Sequence, residues 1–111
     1  MANQFVKKLT LDVGTSPSTV YTTGATTRST VIGVNIANTA AVDITVSLKF
    51  YDDDSGDTGY IVKDVVIPTS TALVAIGGDQ KLVLEPADSL IVVSDTATSA
   101  DVIVSALEIT T

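Results

Sequence analysis

The sequence predicts an all-β fold: a single antiparallel β-sandwich, jelly-roll or Ig-like, of about eight short strands. Three observations carry that expectation. First, Val, Ile and Thr number 16, 9 and 17 of the 111 residues. β-Branched side chains lose χ1 freedom in a helix and pack well on a pleated surface. Second, good helix formers are scarce, with two Glu, two Gln and eight Leu. Third, short apolar runs alternate with turn clusters built from Gly, Pro, Asp and Ser, the spacing of a sandwich or small barrel.

The runs follow in order. Residues 5–11 and 19–22 are the weaker strand candidates. In 30–38, Ile32, Val34 and Ile36 share one face. In 42–51 every even position is apolar through Phe50 while the odd ones are Asp43, Thr45, Ser47, Lys49 and Tyr51. Period two over ten residues is a strand with one wet and one dry face. Only Thr39-Ala40-Ala41 lies between these two runs, which predicts an antiparallel hairpin. Its inner face would hold Ile32, Val34, Ile36, Ile44, Val46, Leu48 and Phe50.

Asp52-Asp53-Asp54-Ser55-Gly56-Asp57-Thr58-Gly59 is a dense turn signal. In the strand that follows, Tyr60 and Val62 share one parity and Val65 and Ile67 the other. A β-bulge near Lys63-Asp64 reconciles them. Pro68, which has no N–H for the ladder, ends that strand. Residues 72–76, 81–84, 89–93 and 102–109 complete the set, with turns at Gly77-Gly78-Asp79 and Glu85-Pro86-Ala87-Asp88. One domain's worth of chain results: residues 1–8 as a short arm or edge strand, and 9–111 as the sandwich.

Composition removes most chemistry. There is no Cys and no His, so the commonest metal ligands, the thiolate nucleophile and the usual partner of a nucleophilic serine are all missing. No serine sits in a G-x-S-x-G elbow, and the double glycine opens onto a strand rather than a helix that could cradle phosphate. An enzyme is not expected, and no cofactor. The acidic loop at 52–57 could gather a cation, but counted from Asp52 a calcium loop would have Gly56 and Lys63 where oxygen ligands belong. It reads as a solvated turn, with no metal.

Five Lys and one Arg against a net charge of −7 argue against nucleic acid, whose binding rests on neutralised phosphates. No apolar run approaches the roughly 20 residues of a membrane span. Lys7-Lys8 lead into Leu9-Thr10-Leu11-Asp12, which alternates and carries a charge, so synthesis in a cytoplasm without a secretory leader is expected. The late runs are apolar on both faces: Leu90 and Val92 against Ile91 and Val93, and Val102 and Val104 against Ile103 and Leu107. Either loops cover the second face or another protein does.

The stretch "TVIGVNIANTAAVDITVSLKFYD" (30–52) resembles the core of small all-β virion proteins of tailed bacteriophages. So does "KDVVIPTSTALVAIGGDQKLVLEPADSLIVVS" (63–94), followed by a closing strand ending in "ALEIT". The resemblance implies a virion structural protein, made in the host cytoplasm, and first of all a capsid decoration (cement) protein on the head shell. A small neck, tail or fibre-base component is the alternative, and a ligand-binding sandwich module a more distant one. The implied partner is the major capsid protein or another virion protein, with symmetric homo-oligomers, trimers first. No residue role comes from the family. From the residues themselves, Phe5, Lys7 and Lys8, basic and apolar on an otherwise acidic chain, are the candidate partner-binding positions.

Overall fold

The computed structural model describes residues 2–110. Nine strands and no helix make up this span: β1 (Ala2–Val13), β2 (Ser18–Thr22), β3 (Thr27–Asn38), β4 (Ile44–Asp52), β5 (Asp57–Ile67), β6 (Ala72–Ile76), β7 (Leu82–Leu84), β8 (Ser89–Ser94) and β9 (Ala100–Thr110). They form two antiparallel sheets. The first runs β1-β9-β3-β6, with β7 also paired to β3, and the second runs β2-β8-β4-β5. If β6 and β7 are counted as one interrupted strand, this is the eight-strand, double Greek-key order of a jelly roll. The interruption is Gly77-Gly78-Asp79. Gly78 sits at φ +60, a conformation that favours glycine, and Gln80 N–H closes the turn on the Gly77 carbonyl at 3.1 Å.

The sandwich is as expected, but the hairpin between residues 30–38 and 42–51 does not form. β3 pairs with β9 over eleven positions, from Thr27↔Thr110 to Asn38↔Ala100, and β4 lies in the other sheet between β8 and β5. Asn38 enforces the crossing. Its side-chain amide donates to the Val42 and Ile67 carbonyls, both at 2.9 Å, and its Oδ1 accepts the Ala40 N–H at 2.8 Å. A buried amide with all these partners holds the chain in a corner instead of a two-strand turn.

Of the seven residues expected on one inner face, Val34 and Ile36 from the first sheet and Ile44, Val46 and Leu48 from the second are buried in the common core. Ile32 and Phe50 are only half-buried. A register shift between Val31 and Gly33 puts Val31 inside instead of Ile32. The core is closed by Val13, Val20, Ile67, Ile76, Leu84, Leu90, Val92, Val102 and Val104.

β5 shows the expected bulge. Val46 faces Val65 and Leu48 faces Val62, so Lys63 and Asp64 together oppose the single residue Ser47. Asp64 adopts φ +51 there, and its N–H donates to the buried Ser47 Oγ at 2.9 Å. A second shift follows at Ile61, between Leu48↔Val62 and Lys49↔Tyr60. β5 ends at Ile67, next to Pro68.

Candidate assembly surfaces

Parity along β9 separates the two faces of the first sheet. Ala100, Val102, Val104 and Ala106 point into the core, so Ile103, Ser105 and Leu107 point away from it. Register carries this to the neighbouring strands: Leu9 lies opposite Ile103, Lys7 opposite Ser105 and Phe5 opposite Leu107. Phe5 is 75% exposed, and Leu9, Leu11 and Ile103 are exposed with it. Val74 on β6 and Val83 on β7, at 65% and 62%, extend the patch across the sheet. The hollows on this face are lined by Phe5, Ile32 and Ser105, and by Gly33, Val74 and Ile103. Gly33 contributes no side chain, which leaves the hollow beside Val74 and Ile103 unfilled.

The second sheet presents a different outer face. Its late apolar residues are covered from within: Ile91 and Val93 are half-buried beside Lys49 and Ser47, their register partners on β4. Tyr60 stands between two ammonium groups, Lys49 at 5.6 Å and Lys63 at 5.2 Å from the ring centroid. Such cation–π contacts occupy the aromatic face. The outer side of β8 is thus half-buried beside β4 side chains, whereas the outer side of β9 leaves Ile103 exposed.

The candidate residues Phe5, Lys7 and Lys8 all lie on β1, but on two sides of it. Phe5 and Lys7 belong to the apolar outer face. Lys8 pairs with Val104 and so faces inward, where β1 and β2 form the open side of the sandwich. Val6, Lys7, Lys8, Thr19, Tyr21, Thr22 and Glu108 line a cleft there. At its floor the Tyr21 hydroxyl donates to Glu108 Oε2 at 2.5 Å and lies 2.5 Å from Ser29 Oγ. Burial, followed by the Glu108 carboxylate, pushes the Tyr21 hydroxyl up to about 12. The phenol therefore stays protonated as a donor, and the cleft has a structural hydrogen bond at its base.

The acidic turn lies at one end of the molecule. Gly56, at φ +75, donates its N–H to the Asp52 carbonyl at 2.8 Å. Both carboxylate oxygens of Asp52 are engaged inside the turn, Oδ1 by Asp54 N–H and Oδ2 by the Ser55 hydroxyl. Among the described residues, no three His, Cys, Asp or Glu side chains are placed to hold a metal ion. Glu85, with Asp52, Asp88 and Asp53, surrounds Asp54 with like charge and raises its pKa.

Sequence reasoning missed Asp88, which looked like an ordinary turn residue. It is buried, and its carboxylate accepts Asp53 N–H at 3.0 Å and Glu85 N–H at 2.9 Å. The turn before β8 is thereby tied to the β4–β5 turn. Leu9, Val74 and Val83 were likewise not singled out. Their signal is parity relative to β9, which needs the strand pairing to be read.

No family model matches this chain, and no curated protein matches it by sequence. Solved structures do match its fold. A Bacillus endospore appendage, one of a family of disulfide-linked pili, superposes with a TM-score of 0.59 at 13% identity, covering 98% of this chain and 87% of that one. The T13 viral particle of infectious bursal disease virus gives 0.56 at 11% identity, covering 96% of this chain and 30% of that one. The Gx strain of that virus gives 0.50 at 11% identity, over 97% and 37%. This chain thus spans about a third of the virus chains it matches. At these identities the likeness is one of fold: a two-sheet architecture shared with a pilus subunit and with virus-particle proteins.

Proposed function

We propose that this chain is a non-enzymatic structural subunit of a virus particle, a decoration protein that lies on the head shell through the outer face of its β1-β9-β3-β6 sheet. The observation that carries this reading is the apolar patch of Phe5, Leu9, Ile103, Val74 and Val83 on a folded chain with its own closed core. Monomeric soluble proteins rarely leave such a patch bare. A flat sheet face suits docking on a large surface better than capture of a small ligand, which calls for a concave site. The fold shared with virus-particle proteins adds support. A neck, tail or fibre-base position would use the same face.

A second reading is a subunit of an extracellular fibre. It is favoured by the Bacillus appendage, which matches nearly end to end. That appendage is disulfide-linked, whereas this chain has no Cys, so a fibre of this protein would be held by non-covalent contacts alone.

Copy number in purified particles tests the proposal. Hundreds of copies per particle mean a shell position, and a dozen or fewer mean neck or tail. Absence from particles overturns the virion reading and leaves the fibre.

A further inference from the structure

We propose that the free edge of β1 is a two-fold contact between two copies of this chain, centred on Val6. From Ala2↔Thr110 to Thr10↔Val102, β1 keeps one unbroken register with β9. Its other edge has no strand beside it among the described residues. A long, regular edge is a template for another strand unless something guards it. The other edges are guarded. β2 has five residues and a register shift at Thr19/Tyr21. β5 carries two shifts, and β6 and β7 are short. The one edge that can match β1 over its full length is therefore another β1, in an antiparallel, self-complementary pair.

Charge selects the register. Residues 1–11 contain no carboxylate, so pairing two first strands sets no acidic side chains against each other, and only the lysines must be kept apart. A pair centred on Lys7 would set Lys7 against Lys7, and like charges directly opposite are destabilising. Centring on Val6 sets Lys8 against Gln4, Lys7 against Phe5, Leu9 against Asn3 and Thr10 against Ala2. All of Ala2 to Thr10 is then paired. Each Lys7 ammonium can lie on the Phe5 ring of the other copy, a favourable cation–π geometry. Phe5, Leu9 and Ile103 of both copies merge into one apolar face on the same side of the joined sheet. The contact goes beyond the particle reading and does not depend on it, because it is tested on the purified chain alone.

A chain without Cys permits a direct test by single substitutions. Val6→Cys places one thiol on the two-fold axis, where mild oxidation should give a covalent dimer of twice 11.4 kDa. In Asn3→Cys the two thiols would lie six residues apart along the strands, roughly 20 Å, and no dimer should form. Far-UV circular dichroism checks that both variants fold. The unmodified chain provides the second measurement, by sedimentation. Its dimer fraction should rise with concentration and also with salt, as NaCl from about 0.05 to about 0.5 M shortens the Debye length from roughly 14 to 4 Å and screens the repulsion. A monomer at every concentration up to about 1 mM, the level of a barely measurable affinity, overturns the proposal. Equal cross-linking of both variants overturns the register and the two-fold axis with it. Association that falls with salt also overturns it, and points to an acidic partner on the Lys7-Lys8 strand.

Discussion

Asp88 shows how one side chain can tie two turns together. Its carboxylate is buried and accepts two backbone N–H groups, from Asp53 and Glu85. Asp88→Ala leaves both donors without their acceptor in a part-buried corner between the two turns. That should cost about 2–4 kcal/mol, a fall in melting temperature of roughly 10–25 °C for a domain of this size. Thermal unfolding of the variant checks it. Tyr21 makes a second prediction, with a sign fixed by linkage. Its pKa is raised to about 12, first by burial and then by Glu108, while the unfolded phenol titrates near 10. Between those values the folded state holds a proton that the unfolded state releases, so the Tyr21 contribution is intact below about pH 10 and is lost as pH rises towards 12. Urea titrations at increasing alkaline pH should show stability falling more steeply in the native chain than in Tyr21→Phe. The phenolate absorbance step near pH 12 should be absent from that variant.

At the scale of single elements, the acidic turn between β4 and β5 is held by internal hydrogen bonds while its carboxylates repel. Glu85 and its acidic neighbours raise the Asp54 pKa, so the folded turn is less crowded when Asp54 is protonated and more crowded above its titration. Asp54→Asn should therefore raise the melting temperature slightly at neutral pH, and the gain should shrink as salt is added. Both Asp52 oxygens already serve the turn, so melting in millimolar calcium and in chelator should give nearly the same midpoint. A rise of roughly 10 °C with calcium would mean that the turn binds the ion tightly enough to shift folding by mass action. This element was legible in the sequence because its chemistry is local: Asp and Gly in a row specify a turn whatever the rest of the chain does. The Lys63-Asp64 bulge was legible for the same reason, since a change of parity within one strand needs no partner to be seen. The β3–β4 hairpin failed because alternation gives each strand its faces but not its neighbour. Loop length alone suggested adjacency, and it was Asn38, a polar residue buried at the corner, that sent the chain to the other sheet. The apolar outer surface was half-visible for a related reason. Ile103 stood out by parity within its own run, whereas Val74 and Val83 join it only through pairing to β3.

For the molecule as a whole, the first strand closes on the last: β1 pairs with β9 in antiparallel register from the first described residue onward. Such long-range pairing makes jelly rolls slow to fold, and it raises the question of how much the body depends on β1. From Ala2 to Leu9 every side chain is exposed except Val6, which is half-buried against the core. Val13, beyond the register shift, is fully buried. Removing residues 2–8 therefore takes away one half-buried side chain and a row of ladder bonds to β9. It leaves Val13 and the remaining core intact. The loss should be about 1–2 kcal/mol, chiefly the part-burial of Val6 and net hydrogen bonding, which is roughly a 5–15 °C fall in melting temperature. The truncated chain should keep its β-type circular dichroism and a cooperative transition. It should also load more weakly onto particles, because Phe5, Lys7 and part of the apolar face have gone with it. A truncated chain that fails to fold would place β1 inside the folding unit instead of at its edge. A truncated chain that folds and loads fully would move the docking surface away from β1, towards Ile103, Val74 and Val83.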